Sequence, residues 1–196
     1  MKTVFWLLAI IASVVATVVV TRRSVPTEAA PAAANLYQPV GSIRAIMEGI
    51  VEPTSDVIYQ SVAVIATASG TVEHVPRTDE EWARVEHNAL ALAEAVNLLK
   101  IPGRVVATAE EEKEPVQEGA LTPKEIAVRI EADRAEWNSL LDGLLKAALR
   151  AREVAAKHDV EGLYDVGGVL DAACETCHIK LWYPDAVKYL RPIPQH

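Results

Sequence analysis

The chain has little of the residues that mark several protein classes. Its 196 residues include two cysteines, one phenylalanine and nine glycines, and only 5% are aromatic. Two cysteines are too few for a disulfide framework, and an apolar content carried by Ala, Val and Leu favours helices over a β-sandwich. The formal net charge is −8, and no stretch supplies the basic face that general nucleic-acid binding requires. Because 51% of the residues are hydrophobic, the chain can bury a core, which excludes disorder throughout.

The N-terminal part reads as a membrane segment followed by a tether. Residues 3–21 carry no charge, and as a helix they would be about 28 Å long, close to the thickness of a bilayer core. We therefore expect residues 1–23 to be a membrane anchor, and a cleaved signal peptide is the alternative. Residues 24–40 contain three prolines and are expected to form an extended tether. In either case the rest of the chain, residues 41–196, is expected to be exported.

Residues 41–196 show helical periodicity in four segments and no strand-like alternation. Apolar residues recur at steps of three and four in each segment, and Pro53 predicts a kink or break near residues 49–53 of the first. The loop 101–121, with its acidic run 110–114, is expected to be solvated. We predict an all-α fold, an antiparallel four-helix bundle. Its helices would span residues 42–69, 78–101, 122–157 and 159–183.

Cys174, Cys177 and His178 form the sequence C-x-x-C-H, the attachment signature of c-type haem. Residues three apart point to the same side of a helix, so the two thiols can add to the two vinyl groups on one porphyrin edge. His178 directly follows the second cysteine, and its imidazole can bind the iron as the proximal ligand. The motif therefore predicts one covalently attached haem c, with iron as the bound metal.

Other interpretations of the cysteine pair are weaker. A thioredoxin-like pair needs a stabilised thiolate, usually at a helix N-terminus after a strand. This pair lies late in a helix, where the helix dipole disfavours a thiolate. A structural zinc site needs four ligands, and no second Cys/His pair has suitable spacing. Chance occurrence of the two cysteines in a helical core is the remaining alternative.

The distal ligand of the iron is harder to assign than the proximal one. Apart from the initiator, the only methionine is Met47, which lies on the apolar stripe of the first segment. Its thioether either faces the iron, as a distal axial ligand, or packs in the core. The other histidines are expected to face solvent: His74, His87, His158 and His196.

Aromatic residues follow the haem motif directly. Trp182 and Tyr183 either cover the exposed haem edge, with Tyr183 hydrogen-bonded to a propionate, or plug the end of the bundle. Haem propionates favour a nearby cation, and Arg44, Lys180 and Arg191 are candidates for it.

The sequence resembles the cytochrome c′ family, which is itself a standard example of the four-helix bundle. The resemblance covers about residues 41–190 and rests on the C-terminal C-x-x-C-H helix, the three helices before it and Met47 on the first. The run Met47–Asp56 and the Trp182-Tyr183-Pro184 tail resemble a less-studied branch of that family. Members with an apolar distal residue are five-coordinate and bind NO or CO, and members with a distal methionine are six-coordinate electron carriers. The usual distal position lies one turn after a basic residue, as Met47 follows Arg44, so the resemblance favours Met47 as a ligand.

Together these patterns predict a membrane-tethered, periplasmic c-type cytochrome. It would transfer single electrons to redox partner proteins in the periplasm or membrane, without catalysis on a substrate. The alternative is a five-coordinate haem protein that binds NO or CO for sequestration or sensing. A structural helical adaptor is a weaker third interpretation. Beyond the redox partners we expect contact with the membrane through the N-terminal helix and no nucleic acid, and a homodimer is compatible with the predicted bundle.

Overall fold

The computed structural model describes residues 37–185, and this range is mostly helical. No helix within it is long and apolar enough to cross a membrane. The predicted anchor at residues 1–23 lies outside the described residues, as do most of the tether, Arg191 and His196. In chain order the elements are α1 (Ile43–Ile46), a π-helical turn (Met47–Val51), α2 (Glu52–Ser61), β1 (Ala63–Thr67), β2 (Gly70–His74), α3 (Asp79–Leu99), a 3-10 turn (Glu111–Lys113), α4 (Pro123–Ala132), α5 (Arg134–Ala156) and α6 (Val160–Leu181).

The predicted starts of three helices are confirmed by their capping residues. The Thr78 hydroxyl accepts a hydrogen bond from the backbone of Glu81, whose carboxylate accepts from the Thr78 backbone in return. Thr122 makes the same reciprocal capping box at α4, where a proline occupies the first turn. Asp159 caps α6 by accepting from the Gly162 N–H. Each cap satisfies backbone donors that the first helical turn leaves unpaired.

The predicted break around Pro53 is present as a π-helical turn. Residues Met47–Val51 form this wider turn, and α2 begins immediately after it with Pro53 in its first turn. Proline has no backbone N–H to donate, so a helix interrupted just before it loses little. The Thr54 hydroxyl donates to the Ile50 carbonyl at 2.6 Å, which ties the first turn of α2 to the π-helical turn.

The prediction that the first helix continues to residue 69, with no strand in residues 41–196, is wrong. The chain becomes extended at Val62, and β1 and β2 pair as an antiparallel hairpin with Thr67 opposite Gly70. Gly70 has φ of +130°, a conformation that disfavours a side chain. Val62 and Ile65 continue the helical spacing of the sequence, but this run is rich in β-branched residues, which favour strands.

The prediction of one unbroken helix over residues 122–157 is also wrong. It is divided at Asp133, which has φ −139° and ψ 77°, into α4 and α5. The Asp133 carboxylate accepts from the Glu136 N–H at 2.8 Å and so caps a new helix. Aspartate bonds to the backbone this way readily, which is why it favours helix starts over helix interiors.

Long helices pack side by side around one hydrophobic core. α3 packs against both α2 and α5, and α5 packs against α6. Lys100 forms an ion pair with Asp142 at one end of the α3–α5 pair, and Glu86 meets Arg152 at 3.3 Å near the other. These two ion pairs show that α3 and α5 run antiparallel. The predicted apolar stripe of α3 is buried throughout, as are the stripe positions of α4 and α5.

Candidate functional site

The C-x-x-C-H residues lie on the last two turns of α6, on the apolar side of that helix. Leu170 and Leu181, which belong to the same stripe, are 0% and 5% exposed. Cys174 and Cys177 fall between them, only partly buried, and pack against the hydrophobic core. The helix therefore presents both sulfurs on one side, as the spacing predicts, with access that the neighbouring leucines lack.

Burial keeps both cysteines in the thiol form. It raises the pKa of Cys177 to about 12, with a smaller contribution from the charge of Cys174. Burial also raises the pKa of Cys174, followed by the effect of Asp171. A redox-active pair needs the opposite shift, because the thiolate is the nucleophile. The local electrostatics therefore argue against a thioredoxin-like pair.

His178 is held as a neutral imidazole. Burial lowers its pKa, and the charge of Glu175 opposes that effect only in part. Within residues 37–185 no hydrogen bond contributes to the ionisation of its ring. A neutral imidazole has a free nitrogen lone pair, which is the form that binds a metal.

Two tryptophans form a chain of ring contacts that leads to His178. The Trp182 indole meets the His178 ring edge-on, with centroids 6.1 Å apart and planes at 63°. Trp137 also packs against Trp182, with ring centroids 6.4 Å apart and a tilt of 30°. Trp137 is 2% exposed, and its indole nitrogen is buried without a hydrogen-bond partner in the described residues. The sequence places Trp137 on an apolar stripe and gives no sign of this unpaired donor.

Tyr59 of α2 is a neighbour of Cys174 that no pattern in the sequence indicates. Burial, and then the charges of Cys174 and Asp171, raise the pKa of the Tyr59 phenol. Asp56, one turn earlier, adds to the same shift. These couplings place Tyr59 of α2 across from Cys174 of α6. The backbones of α3 and α5 approach each other closely, but those of α1 and α2 do not approach α6 in this way. The side of α6 that carries Cys174 therefore faces α2 through side chains.

Met47 begins the π-helical turn and lies at the same end of the helices as His178. It is partly buried and packs against the core. One turn earlier, the Ile43 N–H donates to the Val105 carbonyl at 2.8 Å, just beyond the end of α3. That end of α3 meets the first half of α5. Glu136, in the first turn of α5, pairs with Lys180 near the end of α6, and these contacts place Met47 at the end of the helices where His178 lies. Ligation of iron by Met47 stays a prediction.

The groups predicted to meet haem propionates have protein partners. Arg44 forms ion pairs with Glu48 and Glu114, which hold its pKa above the usual value. Lys180 pairs with a carboxylate of α5, and the Tyr183 hydroxyl donates to Gln117 Oε1 at 3.1 Å. The loop 101–121 is mostly exposed, as predicted, but its acidic run holds Arg44 in place.

The remaining described histidines are exposed, as expected. His74 ends β2, and His87 lies on the solvent side of α3. His158 has φ of +54°, and its ring stacks on Trp82 with centroids 5.0 Å apart. In residues 37–185 no three His, Cys, Asp or Glu side chains cluster as a metal site.

Two cavities of about 270 Å³ each lie away from the motif. One is lined by residues of α2, α3 and the hairpin, including Ser61 and Arg84. The other lies between the loop 103–107 and α4, with Val106 and Ile130 in its walls. The C-x-x-C-H residues line neither cavity.

The donor set around the motif fits a c-type haem better than a bare metal ion. It offers two neutral thiols on one helix face, one neutral imidazole beside them, and a buried indole N–H without an acceptor. An unpaired buried donor costs about 1–3 kcal/mol, and a bound group that carries acceptor oxygens can satisfy it.

Comparison with known protein families, curated proteins and solved structures finds no match.

Proposed function

We propose that residues 41–196 form an antiparallel four-helix bundle that carries one covalent haem c and transfers single electrons, as in the cytochrome c′ family. The four members would be α1 with α2, α3, α4 with α5, and α6. The C-x-x-C-H motif on the accessible apolar side of α6 carries this proposal. The chain would act in the periplasm, tethered to the inner membrane by residues 3–21.

Each residue of the site has a separate part in this proposal. Cys174 and Cys177 would hold the cofactor through thioether bonds, and His178 would supply one iron ligand. Met47 would supply the second protein ligand, and Tyr59 lies beside Cys174. When bound, haem c supplies an iron centre that gains and loses one electron at a time. The protein sets the potential of that centre through the axial ligands and through burial.

Carboxylates on both sides of Tyr59 indicate the chemistry of a redox partner. Glu52 and Asp56 are exposed and lie four residues apart at the start of α2, and Asp171 and Glu175 repeat that spacing on α6. Asp56 and Asp171 both act on the Tyr59 phenol, so the two acidic rows flank the same side chains. A partner with a basic surface would be steered to this side, and its association rate would fall as salt is added.

Covalent attachment is the first test of the proposal. The full chain, expressed with a haem-maturation system and extracted with acid-acetone, should keep the mass of one haem. The variants Cys174→Ala and Cys177→Ala should each weaken that attachment, and His178→Ala should abolish the native Soret spectrum. His87→Ala, on the exposed side of α3, is the control and should leave the spectrum unchanged. Extraction of all haem from the wild type would refute the proposal.

Met47 decides between electron transfer and gas binding. A thioether ligand favours ferrous iron relative to a second imidazole, raises the potential and fills the site that a gas would need. Ferric wild-type protein should therefore be low-spin, and Met47→Leu should make the ferric protein high-spin and the reduced, ferrous protein open to CO. Ile46→Leu, a buried apolar exchange next to it, should change neither property. A wild type that is already high-spin and binds CO rapidly would instead support NO or CO sequestration or sensing.

A further inference from the structure

The strongest unexplained feature near the motif is the way in which Trp182 is fixed. Its backbone N–H donates to the His178 carbonyl at 2.8 Å, and so does the next N–H, of Tyr183. Its own carbonyl accepts from the Leu121 N–H at 2.9 Å, which joins the end of α6 to the loop before α4. Two further contacts hold this end of the helix, Arg129 with the Lys180 carbonyl at 3.3 Å and the Lys180 side chain with α5.

The indole of Trp182 is held by packing as well as by its backbone. It contacts both the His178 ring and the buried Trp137 ring, and it packs, partly buried, against the hydrophobic core. An edge-to-face pair of this kind contributes beyond the area that it buries. The His178 ring therefore lies against a partner whose own position is set by α5 and by the loop 101–121.

Histidines that bind metals are usually oriented by a hydrogen bond to the second ring nitrogen, from a carboxylate, a carbonyl or water. Among residues 37–185 the His178 side chain has no such bond. Its ring instead contacts the Trp182 indole, with centroids 6.1 Å apart and planes at 63°, and such a contact limits the rotation of the imidazole about its side-chain bonds.

We propose that Trp182 is a positioning residue that fixes the plane of the His178 imidazole by ring packing, in place of a hydrogen bond. Trp137 acts behind it by holding the indole, and the backbone bond from Leu121 keeps α6 ended at this point. This inference rests on the proposed function, since the imidazole plane matters most when His178 binds iron.

The test compares variants at Trp182 with a control variant at Trp82, all in the full chain carrying covalent haem. The g-values and line widths of the ferric electron paramagnetic resonance spectrum report the orientation and uniformity of the axial imidazole. Trp182→Leu should shift and broaden or split these signals, and Trp182→Phe, which keeps a ring, should restore a single narrow species. If the Trp182→Leu protein does not accumulate, Trp182→Ile replaces it and should shift and broaden or split the signals in the same way.

Trp82→Leu is the matched control, because Trp82 is 5% exposed and its ring stacks on a different histidine, His158. It should lower the urea midpoint while leaving the resonance signals of the iron unchanged. Unchanged signals in Trp182→Leu, or the same change in Trp82→Leu, would overturn the positioning role while the haem mass remains. Absence of covalent haem from the wild type, seen in the mass alone, would overturn the proposed function and this inference together.

Discussion

Two glycines in helical segments should respond in opposite directions to the same substitution by alanine. Gly143 lies in the middle of α5, and a Cβ added there would have no atom within 4 Å. Gly162 lies in the first turn of α6, where an added Cβ would come within 2.8 Å of Val154 Cγ1 and closer still to the Asp159 carboxylate. Val154 is fully buried, and Asp159 is the residue that caps the helix at 2.9 Å from the Gly162 nitrogen.

The magnitudes follow from these surroundings. Gly143→Ala should raise the free energy of unfolding by about 0.8–1 kcal/mol, the difference in helix propensity. Gly162→Ala gains about the same, but it loses about 1–3 kcal/mol to overpacking against Val154. It also loses about 1 kcal/mol when Asp159 moves and weakens the cap. The net result for Gly162→Ala is a loss of about 1–3 kcal/mol.

Urea unfolding followed by circular dichroism measures both changes. Each kcal/mol also corresponds to about 2–4 °C in Tm for a chain of this size. A Gly162→Ala protein that is stabilised to the same extent as Gly143→Ala would refute the close approach to Val154 and the function of Asp159 as a cap.

Two further predictions concern the loop 101–121 and the hairpin. The Thr108 N–H, followed by a nearby hydroxyl, lowers the pKa of Glu111. This carboxylate therefore stabilises the fold at any pH above its unfolded pKa, and that stabilisation is lost as the pH falls through its folded pKa. Urea midpoints from about pH 7 to about pH 3 should therefore fall less steeply in Glu111→Gln than in the wild type, and an equal slope would contradict this. Ile58 is 1% exposed, and Ile58→Ala should lower the free energy of unfolding by about 2–5 kcal/mol. Ile65, on the hairpin, is 51% exposed, and Ile65→Ala should lower it by less than about 1 kcal/mol. Equal losses would place the hairpin in the core.

Local hydrogen-bonding chemistry made the helix starts predictable. Thr78 and Thr122 each stand three residues before a glutamate, and such a pair caps a helix whatever its tertiary surroundings. The break at Pro53 was predictable for the same reason, since proline lacks the donor that a continuous helix uses. The C-x-x-C-H residues share one face of α6 because their spacing alone determines it.

The features that the sequence did not reveal depend on competition or on distant contacts. At Asp133 a short side chain competes with the helix for backbone donors, and apolar spacing does not register that competition. At Val62 the same spacing continues into residues that pair as strands. Tyr59 reaches Cys174 across more than a hundred residues of sequence, and the contact between Trp182 and Trp137 is also non-local. Tertiary packing determines such neighbours, and no local pattern encodes them.

The attachment of α6 to earlier parts of the chain has a consequence for the order of events during synthesis. The residues that hold its C-terminal end, Gln117, Leu121, Arg129 and Glu136, all precede it. A chain made from its N-terminus delivers these partners first and the two thiols afterwards. Cys174 and Cys177 are fully accessible only until α6 docks, because docking leaves each of them partly buried against the core. Any covalent reaction of both sulfurs is therefore easiest in the interval between the appearance of residue 178 and closure of the helix onto α5.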